Sequence, residues 1–366
     1  MSDAPVTLVT GFPNFRASQL VSHLLSNGEG EVWSVVSERD EALAVRFRAA
    51  LPDATAARFR HFVGDPAAMD MGLGGAEYRE LARAVTCIQH VAQQTGPTFG
   101  KESFEELNVG SMREALELAG AAAHLRSLVV HSSVVVSGDR EGYVGETELV
   151  AGQRFPGPGP ATLARAELMA RRRMDRLPIV VLRTGQVVGP STTGAVDTLE
   201  GVYLLILLIL NSPQDLSPLL PDWGDAPLHV VPADHFVRAA AASSRHRAAL
   251  GQTLQLTDPH PMTVRKAFNR CLKVRERLAA EGLAFPPASA ALRRDSVLRD
   301  SLQAILWRPR TFINMTFRKV QYGTDIAERM LGELGLSCPP LESYFDQLVR
   351  HVVRAVSAAP ARAVSP

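Results

Sequence analysis

Charge of one sign is what this sequence lacks most plainly. Its 39 Lys and Arg residues stand against 38 Asp and Glu, a formal net charge of +1. That balance excludes a nucleic-acid footprint spread over the whole surface. Cysteine is scarce: Cys87, Cys271 and Cys338 lie far apart with no metal-ligand spacing. Neither a disulfide framework nor a metal site is expected, and a reduced, cytoplasmic setting is. Long hydrophobic runs are missing too. The most apolar stretch, GVYLLILLIL at 201–210, falls well short of the roughly 20 residues that span a bilayer. It reads as a buried helix ahead of a greasy lid or a shallow membrane contact. The N-terminus, MSDAPVTLVTG, has no basic and apolar leader, so no signal peptide is expected. There is no internal repeat and no long low-complexity segment.

What is present is enough to build a core. Hydrophobic residues make up 46% of 366 positions and charged residues 21%, the balance of one large globular domain or two smaller ones. Short β-branched runs at 6–10, 31–36, 57–64, 85–92, 127–133 and 178–185 predict strands. Helical patterns fall between them near 15–26, 40–49, 75–83, 101–121 and 161–175. Apolar strands alternating with helices predict an α/β fold with a parallel sheet covered on both faces. After about residue 190 turn-rich stretches alternate with helices, and QTLQLTD at 252–258 predicts a strand returning to the sheet. The expected division is 1–190 for the sheet domain, partly rejoined by 225–258, then 191–350 as a smaller, mostly helical substrate or lid region, and 351–366 as a tail, whose stretch SAAPARAVSP at 357–366 is expected to be mobile. The Arg- and Lys-rich stretch 262–320 reads as solvated helix faces with snorkelling side chains. A helix touching anionic lipid or an acyl-carrier partner is the lesser reading of it.

The first strand ends in Thr10-Gly11 and a helix follows, the arrangement that aims backbone N–H groups at a pyrophosphate. Gly11 suits the tight turn, and Ala17 is acceptable where helix packs on strand. Asn14 is the serious departure from a glycine-rich loop. It tolerates a left-handed backbone, but its side chain is expected where a phosphate oxygen would come. Arg16 either supplies compensating charge or faces solvent.

Several segments, in order, carry a resemblance. TGFPNFRA, VGDPAAMDMGLGGAEYRELARAVTCIQHVAQ, ELNVGSMREALELA, HSSVVVSGDREG, VLRTGQVVGPSTTG, HVVPADHFVRA and CPPLESYFDQLVRHV resemble the extended short-chain dehydrogenase/reductase superfamily. The branch they resemble is that of the thioester and fatty-acyl reductases, over roughly residues 5–350. The resemblance implies a Rossmann-type doubly wound parallel sheet holding NADP or NAD, with no metal. It implies that Gly11 sits under the pyrophosphate with Thr10 beside it, that Asp65 after Gly64 receives the adenine amino group, and that the run from Ala92 lines the nicotinamide side. Asn108 would hold the active-site helix and a water, and Ser133 would hydrogen-bond the substrate carbonyl. Ser37 stands where an arginine often grips a 2′-phosphate, and Arg39 is the nearby candidate for that duty, so NADPH and NADH are not separated.

The family's working pair is a Tyr and a Lys four residues apart on one helix face. Counting from GQRF at 152–155 puts Ala161 at the tyrosine and Arg165 at the lysine, with Ala166-Glu167 as the anchor. Alanine has no proton to give, and loss of a positioned general acid costs about 10²–10⁴ in rate. Arg165 keeps a charge that could bind a ribose but is not interchangeable with lysine. Two substitute proton donors are candidates: His131, two residues before Ser133 on the same side of its strand, for which a hydrogen-bonded structural role is the commoner reading, and Tyr143, which depends on how the loop beyond folds.

Three readings follow. The first is a degenerate reductase with weak or lost cofactor binding and a binding or supporting role. The second is an active NAD(P)H-dependent reductase of an acyl thioester, aldehyde or ketone. The third is an acyl- or lipid-binding protein with residues 199–211 and 303–318 as a greasy lid. The expected partners are a small-molecule or acyl-thioester ligand, and a second copy of the chain or another enzyme. No nucleic acid and no transmembrane segment are expected.

Overall fold

The computed structural model describes residues 4–93, 101–210, 222–282 and 318–357. Its centre is a seven-stranded sheet. In chain order the strands are β1 (Val6–Thr10), β2 (Glu31–Val36), β3 (Phe59–Val63), β4 (Val85–His90), β5 (Ser127–Ser133), β7 (Ile179–Thr184) and β10 (Thr253–Leu256). Every pairing is parallel, and the spatial order is β10-β7-β5-β4-β1-β2-β3. The strand expected at 252–258 therefore lies at the sheet edge, on β7.

Parallel strands need crossovers, and the helices that make them cover both faces. That is why most of these strands are buried at nearly every position instead of alternating, the edge strand β3 excepted. Leu8 packs into one core with Leu128, Val130, Ile179 and Val181. Its neighbour Val9 packs into the opposite core with Val129, Val180 and Leu182. The Leu8 side is closed by α4 (Gly75–Ala84), α6 (Ser111–Ala121) and α7 (Pro158–Arg171). The Val9 side is closed by α1 (Phe15–Asn27), α9 (Ala233–Ser243) and α11 (Asp325–Gly332), with α2 (Glu41–Ala49) at its margin. A short α3 (Asp53–Ala56) precedes β3.

A third core belongs to the C-terminal part. It joins α8 (Val202–Leu210), α10 (Val264–Ala280) and α12 (Leu341–Ser357). All of α8 except Leu208 is buried there. The side chains of residues 202–207, 209 and 210 are core, because α10 and α12 cover them, an arrangement that matches the buried-helix reading of this stretch. The partner stretch 303–317 lies outside the described residues. A helix continues through Ser357 because Val352, Val353 and Val356 are buried; residues 358–366 lie outside the described ones.

Two small parallel ladders join these layers. β6 (Gly142–Val144) pairs with β11 (Val320–Tyr322), and β8 (Gln186–Val188) with β9 (Val230–Pro232). The helix expected over 101–121 is present in three pieces: α5 (Lys101–Phe104), a π-helical turn at Glu105–Gly110, and α6. No described helix is long and apolar enough to cross a membrane.

Candidate functional site

The strand order reverses between β1 and β4, and an open parallel sheet binds ligands outside its carboxyl ends at such a switch point. Thr10 and His90, the last residues of β1 and β4, are register partners there. Thr10 Oγ1 accepts the N–H groups of Val91 (3.1 Å) and Ala92 (3.2 Å), so its own proton goes to His90 Nδ1 at 3.0 Å. His90 therefore carries its hydrogen on Nε2, which faces Ser111 Oγ at 3.4 Å. Ser111 bonds on to the carbonyls of Leu107 and Ala92. Burial holds the His90 pKa down to about 4, so the relay is neutral. Its effect is to fix the switch-point floor against the π turn.

Gly11 has φ +84°, and a Cβ there would stand 2.9 Å from Ala92 N and Cα. Only glycine fits, as the resemblance implied for the turn. Asn14 behaves differently from expectation. Its backbone is extended (φ −58°, ψ 157°), not left-handed, and its side chain N-caps α1, accepting Ala17 N–H at 2.9 Å. The cap consumes one helix-end donor. The N–H groups of Phe15 and Arg16 make no hydrogen bond among the described residues. An anion cradle therefore survives beside Asn14, and these residues fit a phosphate. The Arg16 side chain also has no hydrogen-bond or ion-pair partner among the described residues, and burial lowers its pKa to about 10.

The other side of the sheet end is less open to nucleotide chemistry. Asp65 is exposed and spends one carboxylate oxygen on Ala67 N–H at 2.9 Å, and its N–H binds Met71 O, closing the loop after Gly64. Arg39 is 90% exposed with Asp40 at 3.7 Å, while Ser37 Oγ donates to Asp40.

Ser133 ends β5, opposite Thr184 of β7, and its hydroxyl caps a short turn at Val134–Ser137. Asn108 sits in the π turn, where the extra backbone residue turns it inward. Its amide donates to Thr162 Oγ1 of α7 at 2.9 Å. A buried pair sets the rotation of α7. Glu167 takes two oxygens' worth of bonds from the Arg183 guanidinium (2.8–3.0 Å), one from Ser132 Oγ (2.6 Å) and one from Arg171 (2.8 Å). With Glu167 turned to the sheet, Gly159, Leu163, Ala166 and Ala170 share its buried side. Arg165 lies on the other side, 60% exposed, with its Nη1 on Glu105 Oε2 at 2.8 Å. Ala161 lies one turn before it and is half-buried. The inward pair at the same spacing is Gly159 and Leu163, and the Phe104 ring fills the space a Gly159 side chain would enter. Neither register supplies the expected pair: α7 contains no tyrosine and no lysine.

The substitute donors fare no better. His131 is fully buried, its ring edge on Phe236, and donates Nε2–H to Gln89 Oε1 at 2.7 Å. Gln89 is oriented by its own bond to Ala240 O. Burial first, then the Arg16 charge, hold His131 well below the usual histidine range. It is neutral and its one N–H is engaged in a buried hydrogen bond. Tyr143 is 55% exposed in the β6–β11 ladder, with Oη beside Gly323 and 3.5 Å from Asp325. Sequence reasoning passed over a third hydroxyl. Tyr322 Oη lies 3.1 Å from Val134 O, next to Ser133, and 2.9 Å from Ser137 Oγ, with its ring against His229. Nothing in the sequence joins residues 134 and 322; only the β6–β11 pairing does.

A doubly wound parallel sheet with a phosphate cradle at its switch point defines an NAD(P)-binding, Rossmann-type protein. The chain belongs to the family described as "Male sterility protein", whose profile it matches over residues 9–240. These are extended short-chain dehydrogenase/reductases of the thioester-reductase kind. It is similar to one of the subunits of linear gramicidin synthase from Brevibacillus parabrevis, 23% identical over 275 residues, covering 71% of this chain and 5% of that one. The chain thus spans a small fraction of that relative's length. Among solved structures it is similar to the terminal R domain of the myxalamid PKS-NRPS pathway (TM-score 0.76, 23% identity, 97% of this chain and 92% of that one). It is also similar to the reductase domain of a nonribosomal peptide synthetase from Mycobacterium tuberculosis (TM-score 0.70, 17% identity, 97% and 92%). A UDP-glucuronic acid 4-epimerase from Bacillus cereus, in complex with NAD, shares the fold (TM-score 0.62, 16% identity, 97% and 99%).

Proposed function

We propose that this chain is a degenerate reductase: a ligand-binding member of its family that no longer transfers hydride. One observation carries the reading. The helix that would present a phenol and an amine to the reacting carbonyl, α7, has neither. NAD(P)H, when bound, would supply the hydride. Phe15 N–H, Arg16 N–H and Gly11 would hold its pyrophosphate, and Ser133 would still meet a carbonyl. Among the described residues, neither substitute donor is placed to give the proton that must reach the carbonyl oxygen. His131 is neutral and engaged, and Tyr143 binds at the surface. The role left is to hold a small molecule or an acyl thioester, alone or beside a partner enzyme. Two of the similar structures, those with the higher TM-scores reported above, are reductase domains of biosynthetic synthetases, which favours a thioester over a sugar nucleotide as that ligand.

The test is a calorimetric titration with NADPH and NADH, followed by assay of NADPH consumption with an acyl thioester and with an aldehyde. Absence of consumption at saturating cofactor is the expected result. Steady consumption that Ser133→Ala abolishes would overturn the reading.

One observation favours the active alternative: the Tyr322 hydroxyl one residue from Ser133. Its bonds to Val134 O and Ser137 Oγ occupy it, and burial raises its pKa. If turnover appears, Tyr322→Phe identifies whether this phenol is its source.

A further inference from the structure

Charge is sorted along the strand axis. The four segments that enter β4, β5, β7 and β10 (83–84, 122–126, 172–178 and 244–252) hold seven arginines and one acid, Asp175. The segments that leave β2, β3, β5 and β10 at the cleft end (37–40, 64–72, 134–141 and 257–262) hold seven acids and two arginines. A chain of net charge +1 thus has a positive end and a negative end. At the positive end two arginines are answered, Arg173 by Glu117 at 2.9 Å and Arg176 by Asp175 at 3.6 Å. The other five, Arg83, Arg126, Arg172, Arg245 and Arg247, are exposed and make no ion pair and no side-chain hydrogen bond among the described residues. The four strands are neighbours in the sheet, in the order β10-β7-β5-β4. At the usual spacing of about 4.8 Å between strands, their entries form one rim about 15 Å long. Helix carbonyl ends offset only Arg83, in the last turn of α4, and Arg172, just past α7. Arg126, Arg245 and Arg247 stand in the turns beyond. Like charges so placed repel one another, and an opposite charge brought to them relieves the repulsion.

We infer that this rim docks an acidic surface of a different protein, carboxylates meeting guanidinium forks. None of the exposed large apolar side chains, Leu43, Met69 and Tyr143 among them, lies in the rim segments. The described rim therefore offers no apolar wedge to a bilayer and no aromatic platform to bases. A second copy of the chain is a poorer fit. Its acidic end is the cleft end, and such a head-to-tail contact would leave a free end for the next copy. The rim lies at the opposite pole from the cleft. It goes beyond the function proposed above, because it stands whether or not the cleft transfers hydride.

The experiment uses the full chain, a rim triple variant (Arg126→Gln, Arg172→Gln, Arg247→Gln) and a control triple (Arg154→Gln, Lys273→Gln, Arg354→Gln) that removes the same charge from exposed sites elsewhere. A labelled polyglutamate of about 20 residues, an oligothymidylate of similar length, and vesicles of phosphatidylcholine and phosphatidylserine are titrated at low and at physiological salt. Polyglutamate should bind the wild type more tightly than the other two probes do, and more weakly as salt rises. The rim triple should bind it about tenfold more weakly, and the control triple within about twofold of wild type. A rim triple within about twofold of wild type overturns the inference, as does an equal loss in both triples. A tighter hold on oligothymidylate or on vesicles overturns it in favour of nucleic acid or membrane. A wild type that binds none of the three, or that grows into oligomers by light scattering, also overturns it. Should circular dichroism show the rim triple unfolded, Arg126→Gln and Arg247→Gln are read singly against the same threshold of about twofold. NADPH consumption with a thioester would overturn the binding-only reading and leave this rim standing.

Discussion

Acid should unfold this protein from the switch point outwards, and His90 allows the size of the effect to be worked out. Its imidazole is enclosed between Thr10 and Ser111 and its pKa falls from 6.5 to about 4. Burial favours the neutral ring, so the folded state resists a proton that the unfolded chain accepts. A depressed histidine pKa makes stability fall as pH drops below the unfolded value of 6.5, and the loss is complete near the folded value. Across that window, at 1.36 kcal/mol per pH unit, His90 alone costs about 3.4 kcal/mol. Between pH 7.5 and 5.5 its share is about 1.4 kcal/mol. His235, buried and also lowered to about 4 by desolvation, adds a similar amount. Against a total of about 5–15 kcal/mol for a folded domain, these two residues remove a large fraction by pH 4.5. Urea unfolding followed by circular dichroism at pH 7.5, 5.5 and 4.5 measures this. His90→Gln, which can still accept from Thr10 and donate to Ser111, should remove His90's share of the slope. Equal slopes in wild type and variant would refute the assignment of a neutral His90.

Further perturbations test the rest of the site. Glu167→Ala leaves Arg183 buried without its carboxylate and should cost about 3–5 kcal/mol in denaturant unfolding, whereas Glu167→Leu combined with Arg183→Leu should cost clearly less. Thr10→Val strips the acceptor from Val91 and Ala92 N–H and should cost about 1–3 kcal/mol, read as a lowered urea midpoint. Gly11→Ala forces a positive φ and a contact with Ala92, so it should lower the melting temperature and weaken any nucleotide binding together. Ala161→Tyr with Arg165→Lys should give no NADPH consumption, because Arg165 lies on the exposed side of α7; appearance of turnover would show that this face meets the carbonyl after all.

Much of the scaffold could be read from residues alone because its strands are buried on both faces. A run such as PIVVLRTG then announces itself by its unbroken apolar stretch, and β7 (Ile179–Thr184) falls within the residues 178–185 that the pattern marks. The loop was half legible. Gly11 met its expectation because a positive φ admits few other residues, but Asn14 did not. A one-residue preference for left-handed backbone lost to the stronger demand of capping a helix thirteen residues long. The working face of α7 was hidden for a different reason. Spacing fixes which residues share a face but not which face turns inward. That rotation depends on Glu167 meeting Arg183 and Ser132, partners 16 and 35 residues away. Tyr322 was beyond reach for the same cause, enlarged: its neighbours lie 185 and 188 positions back in the chain.

Glu146 has a bearing on how this protein can be cut. Its carboxylate takes the N–H of Gln255 at the sheet edge and those of Ile326 and Ala327 at the start of α11. Gln255 in turn reaches Val144 O and Gly323 O. Three stretches remote in sequence are thus sewn through one acidic side chain. A fragment that stops anywhere short of the last helices, however neatly it encloses the sheet, leaves those stitches open, and should be recovered as insoluble material.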